Sequence, residues 1–342
     1  MKHTDSDSAS TDGGFSFDAG ESQIEVTRSE RIRTFLRQYV YEPAIIAWDD
    51  WRTRIGGVLV LVYLLMGTLG VVLYPVPTSN QVPRNLQPFE SMEAPLGSNQ
   101  QGIDILGQAI HATPDMLLMV LAGAVWATAI AVIVGTVAGY KGGRVDRAVT
   151  TFSDVMMSIP GLPFVMVIAF IYQPTNPLVI GPLIMVNYWA GLGRSIRSQV
   201  LTLREESYVE ASRAMGVDTW KILTKDIIPS MMPFVLVNFA FAARYVVFAA
   251  VGLYYLGVLP TGLGNWGLQL DRAYNDYSAL VGTGQEYLIV VPLVFIMLFG
   301  LALVLLAQGL DRLFNPRVRT RLSGESEADI TEDDDAVSKG AM

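Results

Sequence analysis

Tyr208-Val209-Glu210-Ala211-Ser212-Arg213-Ala214-Met215-Gly216, running on through Asp218 and Trp220 to Ile227-Ile228-Pro229, is a polar island between strongly apolar segments. Its local chemistry predicts two short helices joined by a glycine. Glu206 and Glu210 stand one turn apart, Gly216 can close a helix in the left-handed conformation, and Asp218 can cap the helix that follows. Trp220, Leu223 and Ile227 recur at helical spacing. Pro229 sits near the entrance of a new apolar run, where its missing N–H costs least. The stretch 204–229 therefore reads as a compact helical bracket protruding between two membrane spans.

The surroundings of the bracket support a membrane setting. Of the 342 residues, 51% are hydrophobic and only 16% are charged, and the mean hydropathy is +0.38. A soluble domain carries more charge, about a quarter of its residues. The formal net charge of -8 is concentrated at the two ends. Residues 1–27 carry Asp5, Asp7, Asp12, Asp18, Glu21 and Glu25, and residues 318–342 carry Glu325, Glu327, Asp329 and the run Glu332 to Asp335. These compositions predict solvated, disordered tails. There is no cysteine, which excludes disulfides, thiolate metal sites and a cysteine nucleophile.

Residues 28–54 turn basic and aromatic. Ile32, Phe35, Leu36, Tyr39 and Val40 recur at near-helical spacing ahead of Trp48 and Trp51, which predicts an amphipathic helix along the membrane surface. Ile55 to Tyr74 is then an uncharged apolar run of about the twenty residues a bilayer requires. Further spans are expected at Asp115–Gly139, Asp154–Tyr172, Leu178–Leu192, Pro229 or Ser230 to Val258, and Tyr287–Leu310. Residues 75–112, punctuated by Pro75, Pro77, Pro83, Pro88 and Pro95, read as an external loop, and Tyr140–Thr151 as a tight Gly-Gly loop.

Sorting the basic residues orients the chain. With the amino terminus inside, Arg28 to Arg54, the Lys141-Arg144-Arg147 loop, Arg194 to Lys225 and Arg312 to Arg321 all face the cytoplasm, and only Arg84 and Arg272 fall outside. The expectation is an all-α integral membrane protein with six transmembrane helices over residues 55–317, both termini and the bracket cytoplasmic.

The order Glu210-Ala211-Ser212, three residues, Gly216, then Ile228-Pro229 resembles the EAA signature of ATP-binding cassette (ABC) importer permeases, the loop that docks into the partner ATPase. The likeness extends to Ala94-Pro95-Leu96-Gly97, to Ala138-Gly139-Tyr140-Lys141-Gly142-Gly143-Arg144-Val145-Asp146-Arg147, and to Ser158-Ile159-Pro160. It continues through Leu201-Thr202-Leu203-Arg204-Glu205, Tyr255-Leu256-Gly257 and Asn265-Trp266-Gly267. Together these are similar to the C-type permease of dipeptide and oligopeptide (or nickel) importers, over roughly Trp48 to Arg317. The resemblance implies a type I importer permease fold with cytoplasmic coupling helices in the plasma membrane. It also implies a sibling permease subunit, two ABC ATPase subunits that bind ATP and Mg, and an extracytoplasmic solute-binding protein.

The resemblance assigns ATPase coupling to Glu210, Ala211, Ser212, Gly216, Asp218, Ile228 and Pro229. ATP binding would draw the ATPases together and drag the bracket as a lever, and the fourth and fifth spans would follow. Peptides are the implied cargo, with nickel complexes or oligosaccharides as alternatives carried by the same architecture. Two departures stand out. The family usually has Gly-Thr-Asp and Gly-Arg-Asp where this chain has Gly97-Ser98-Asn99 and Gly102-Ile103-Asp104, and an often acidic position is Ala250.

Other constellations carry less. Gly262-Leu263-Gly264-Asn265-Trp266-Gly267 fits a dinucleotide glycine pattern but has no strand before it, and reads as loop punctuation. No Gly-x-x-x-x-Gly-Lys-Ser/Thr loop exists in the chain, so it is expected to bind no cofactor and to hydrolyse no ATP itself. His3 and His111 are the two histidines, too few for a histidine-based zinc site or triad. Nothing points to nucleic acid, and lipid is the expected surrounding. Gly135 and Gly139 form a small-residue pair suited either to packing within the chain or to a subunit contact.

Arg244 lies near the middle of the fifth span among Phe239, Ala240, Phe241, Val246, Val247 and Phe248. A cation at that depth costs a few kcal/mol, so it is expected to face a wet cavity or a paired acid. With Asn238 and Asn187 it is a candidate for the translocation path, and a buried structural hydrogen bond is the competing role. An ion-coupled secondary transporter would call for a carboxylate in the apolar centres, and Asp115 and Asp154 stand at span ends.

Overall fold

The computed structural model describes residues 50–260, 264–277, 279, 282 and 284–314. The acidic tails 1–27 and 318–342, most of the interfacial helix expected over 28–54, and the end of the 55–317 domain lie outside the described residues.

Helix α1, Trp51–Leu73, opens where Asp50 accepts a hydrogen bond from the Arg52 N–H at 3.0 Å. Trp51 to Arg54 therefore belong to the first span rather than to the helix expected before it. Helix α2, Ile105–Lys141, starts ten residues before the expected Asp115, and the external loop is shorter to match. The cause is Asp104, whose carboxylate accepts from the N–H groups of Leu106 and Gly107 at 3.1 and 2.8 Å. The Tyr74 hydroxyl also donates to this carboxylate.

The loop from Pro75 to Ile103 has no helix, as its prolines predict, and is ordered by side chains. Ser98 Oγ donates to the Pro83 carbonyl at 2.6 Å and accepts from the Leu86 N–H at 3.0 Å. Asn99 Oδ1 accepts from the N–H groups of Gln101 and Ile103, while its amide donates to the Tyr277 hydroxyl at 3.2 Å. Asn99 thereby ties the loop to the later segment at Tyr277, a tie that an aspartate could also make by accepting from the Tyr277 hydroxyl.

The expected Tyr140–Thr151 loop is only a turn. Gly142 and Gly143 have φ of +63° and +59°, a left-handed pair that side chains disfavour. Helix α3, Gly143–Ser158, follows at once. The third expected span bends by 76° at Ile159-Pro160 before α4, Gly161–Tyr172, because proline pushes the residue ahead of it out of the helical region. The fourth is also broken: α5 is Pro177–Ile184, capped by Asn176, and α6 is Tyr188–Leu203. Among the described residues four helices are long and apolar enough to cross a membrane on their own, and five if the bent α3–α4 pair is one crossing. This differs from the six expected because two expected spans are divided into shorter pieces.

Helix α7 is Ser207–Ala214, and α8 runs unbroken over Thr219–Tyr255. The second helix of the bracket is therefore the start of the fifth span. Pro229 stands inside this rod, just after a π-helical turn at Leu223–Ile227 that rearranges the hydrogen bonds where the proline N–H is missing. Helix α9, Trp266–Asn275, is capped by Asn265, so the glycine pattern there ends in a helix start. Helix α10 is Tyr287–Phe314.

Helix α2 is the hub, packing against α5, α6 and α8. A Cβ on Gly135 would stand 2.6 Å from the Gly193 carbonyl, and one on Gly139 would stand 2.9 Å from Val200. The pair therefore serves packing within the chain, letting α6 lie directly on α2. One continuous core follows, including Met116, Met119, Ile180, Ile184, Ile196 and Val247. At its end, Trp266 is fully buried among Tyr63, Phe295 and Phe299 and donates its indole N–H to the Ala109 carbonyl at 3.2 Å.

Candidate functional site: a surface bracket and a cavity between broken helices

The bracket is built from its caps. The Glu206 carbonyl accepts from the N–H groups of Val209 and Glu210 at 3.0 and 3.1 Å, which starts α7. At the other end the Gly216 N–H donates to the Arg213 carbonyl and the Val217 N–H to the Ser212 carbonyl, at 3.0 and 3.1 Å. Gly216 has φ +73°, so this is a Schellman closure. A Cβ at Gly216 would meet nothing within 4 Å; glycine is required there by backbone conformation and not by space. Asp218 Oδ2 accepts from the Trp220 N–H at 3.0 Å and starts α8.

Val209, Ile222, Leu223 and Ile227 are buried and fix the bracket to the body. Glu210, Ala211, Gly216, Asp218 and Pro229 are exposed, with Ser212 and Ile228 half-buried. The seven expected coupling residues thus gather on the bracket and the first turns of α8. Met215 and Trp220, 74% and 64% exposed, add apolar surface to the same element, as does Val217. Of the three residues at helical spacing, Leu223 and Ile227 are buried while Trp220 faces outward.

Two arginines hold the bracket to the end of α2. Arg204 donates Nη1 to the Gly139 carbonyl at 3.1 Å, and the Arg213 guanidinium lies 5.5 Å from the centre of the Tyr140 ring. Both cations sit at a helix C-terminus, where the backbone dipole favours them. Nearby, Asp146 of α3 forms a two-pronged ion pair with Arg197 of α6, and Asp154 pairs with Arg194. Asp154 is thereby engaged between helices, while Asp115 lies within α2 and is half-buried.

A cavity of about 450 Å³ opens where the broken helices meet α8, lined by Gly161, Asn187, Tyr188, Ser195, Asn238 and Tyr245 among others. Asn187 donates its amide to the Ile159 carbonyl at 3.1 Å, tying the gap between α5 and α6 to the gap between α3 and α4. Asn238 donates to the Phe234 carbonyl one turn back at 2.8 Å. Irregular backbone in a membrane protein is tolerated where it lines such a cavity. The structure therefore brings together two of the three expected pathway residues. Arg244 is not in the lining; it is exposed, with its guanidinium 5.7 Å from the centre of the Phe241 ring. Among the described residues no carboxylate pairs with it.

Comparison with known proteins finds transport permeases. The chain is 28% identical over 281 residues to the dipeptide transport system permease protein DppC of Bacillus subtilis (strain 168), covering 79% of this chain and 86% of that one. It is 26% identical over 291 residues to the oligopeptide transport system permease protein OppC of the same organism, covering 82% and 93%. To the glutathione transport system permease protein GsiD of Pectobacterium atrosepticum it is 25% identical over 307 residues, covering 87% and 96%. A solved structure of the MetNI methionine ABC transporter in an inward-facing conformation overlaps 59% of this chain and 96% of its own, with 18% identity and a TM-score of 0.41. Residues 131–320, more than half of the chain, match the family of binding-protein-dependent transport system inner membrane components. The chain, an all-α multi-pass membrane protein with an ordered surface bracket, belongs to that family of transport permeases.

Proposed function

We propose that this chain forms half of the translocation pathway of an ABC importer for peptides. The observation that carries the reading is the single helix α8, which begins in the bracket at Thr219 and holds Asn238 at the cavity. Permeases that it resembles are named for dipeptide, oligopeptide and glutathione transport, all peptidic cargoes, which favours peptides over nickel complexes or oligosaccharides. Six crossings follow if α3–α4 and α5–α6 each count as one broken span. The distribution of basic residues then supports a cytoplasmic bracket and cytoplasmic termini.

In this reading Glu210 contributes polar contacts to the ATPase groove, and Ala211 and Ser212 present small side chains that allow close seating. Gly216 and Asp218 set the turn, and Ile228 and Pro229 lead the lever into the membrane. The ATPase subunits hold ATP and Mg, a sibling permease completes the pathway, and an extracytoplasmic binding protein delivers the peptide. Arg244 would reach an anionic group such as the peptide carboxylate from beside the cavity that holds Asn187 and Asn238.

Two experiments test this. Mild-detergent capture of the subunit from its native membrane should recover an ABC ATPase, a second permease and a solute-binding protein, with ATP hydrolysis; recovery of the chain alone refutes the importer. Arg244→Gln should lower uptake of peptides with a free carboxylate by about tenfold, the loss of one charged hydrogen bond, and spare amidated peptides. Equal uptake of both removes Arg244 from the pathway.

A further inference from the structure

A second cavity, of about 540 Å³, lies between the end of α2 and the bracket, lined by Tyr140, Lys141, Arg204, Glu205, Arg213 and Val217 among others. Three cations and one carboxylate face it. Among the described residues Lys141 and Arg213 have no carboxylate within ion-pair distance, and Arg204 has Glu205 at 4.0 Å, mostly in solvent, with the Asp146 carboxylate acting on it from further away. The negative end of α2 offsets this charge in part: its Gly139 carbonyl accepts from Arg204, while its Ala138 carbonyl is taken by the Gly142 N–H.

The cations are also braced. Arg204 is fixed by its bond to Gly139, and Arg213 lies against Tyr140, so two planar guanidinium forks are held beside the exposed Lys141. Such a set matches a tetrahedral oxyanion, with the forks engaging two oxygens and Lys141 supplying a point charge. Lys141 is the last residue of the 37-residue α2, which at about 1.5 Å per residue outruns a hydrocarbon core of about 30 Å and leaves its charged end room to stand outside that core. Arg144 and Arg147, exposed on α3, extend the positive field, and basic pockets at such a boundary attract anionic headgroups.

We propose that this cavity binds a phosphate-bearing anion, supplied by the headgroup of an anionic phospholipid or by free phosphate. The ligand bridges α2, through Lys141, to the bracket, through Arg213. It thereby makes the position of the bracket responsive to its presence. The inference needs the membrane placement of α2 and not the identity of the cargo.

The test uses the whole transporter complex in phosphatidylcholine nanodiscs doped with phosphatidylglycerol, with retained lipid read by native mass spectrometry. Wild type should retain phosphatidylglycerol over phosphatidylcholine, Lys141→Gln should retain about fivefold less, and Lys141→Arg should restore it. Displacement of the retained lipid by inorganic phosphate makes free phosphate the source, and resistance to displacement makes it the lipid. Equal retention by wild type and Lys141→Gln, with no phosphate bound to either, overturns the proposal. Complex assembly is followed in parallel, because a failed peptide-uptake assay with intact lipid retention would refute the cargo and leave this site standing.

Discussion

Gly216→Pro should reduce ATP-coupled uptake to background while the subunit still inserts in the membrane. Proline fixes φ near −65°, whereas Gly216 sits at +73°, so the closing turn of α7 cannot form as built. The substitution also deletes the N–H that donates to the Arg213 carbonyl. Together these cost about 3 kcal/mol or more locally, enough to let α7 swing relative to α8. Gly216→Ala is the graded control. The site has open space for a methyl group, and the left-handed conformation costs a non-glycine residue about 1–2 kcal/mol, so uptake should fall partially. The measurement is peptide uptake and ATP hydrolysis in proteoliposomes, with subunit content checked by immunoblot. Normal uptake in the proline variant, or equal loss in both variants, would remove the turn from the coupling path.

Trp266→Ala should be the most destabilising single change around α9. The side chain is fully buried, makes edge or tilted contacts with Tyr63, Phe295 and Phe299, and ties α9 to α2 through the Ala109 carbonyl. Truncation of such a ring costs about 3–5 kcal/mol, a fall of about 10 °C in the unfolding midpoint of the detergent-solubilised subunit. Trp266→Phe keeps the aromatic packing and leaves the carbonyl without its indole donor, so it should cost about 1 kcal/mol. Equal shifts for the two variants would mean that the hydrogen bond, and not the ring cluster, holds α9 in place.

Much of this architecture is legible in the residues themselves, for reasons that also explain the misses. The bracket is readable because its ends are chemical: Gly216 and Asp218 act within three residues of their partners, a range that local reasoning covers. Span existence is readable because twenty apolar residues leave few alternatives. Span ends are not. Ile105 to Thr113 mixes Gln108 and His111 with apolar residues, so hydropathy fades while the helix continues, and only the Asp104 cap marks its start. The breaks at Ile159-Pro160 and Met185–Asn187 are masked by apolar runs on both sides. Asn187 and Asn238 meet in one cavity through contacts between distant segments, which no local pattern reports. Arg244, by contrast, is conspicuous for its charge and yet stands beside the lining, because a charge in a span advertises itself without disclosing its direction.

The π-helical turn at Leu223–Ile227 sets the rotational phase of everything beyond it. Each residue of an α-helix turns the chain by about 100°, so a single insertion or deletion elsewhere in α8 would swing Asn238 off the cavity wall while Ile222 stayed seated under the bracket. A turn that holds one residue more than a regular helix can shed it, or a regular turn can take one up, with the flanking stretches keeping their facing. Leu223–Ile227 is therefore the place along this rod where length can vary without changing which side chains line the cavity.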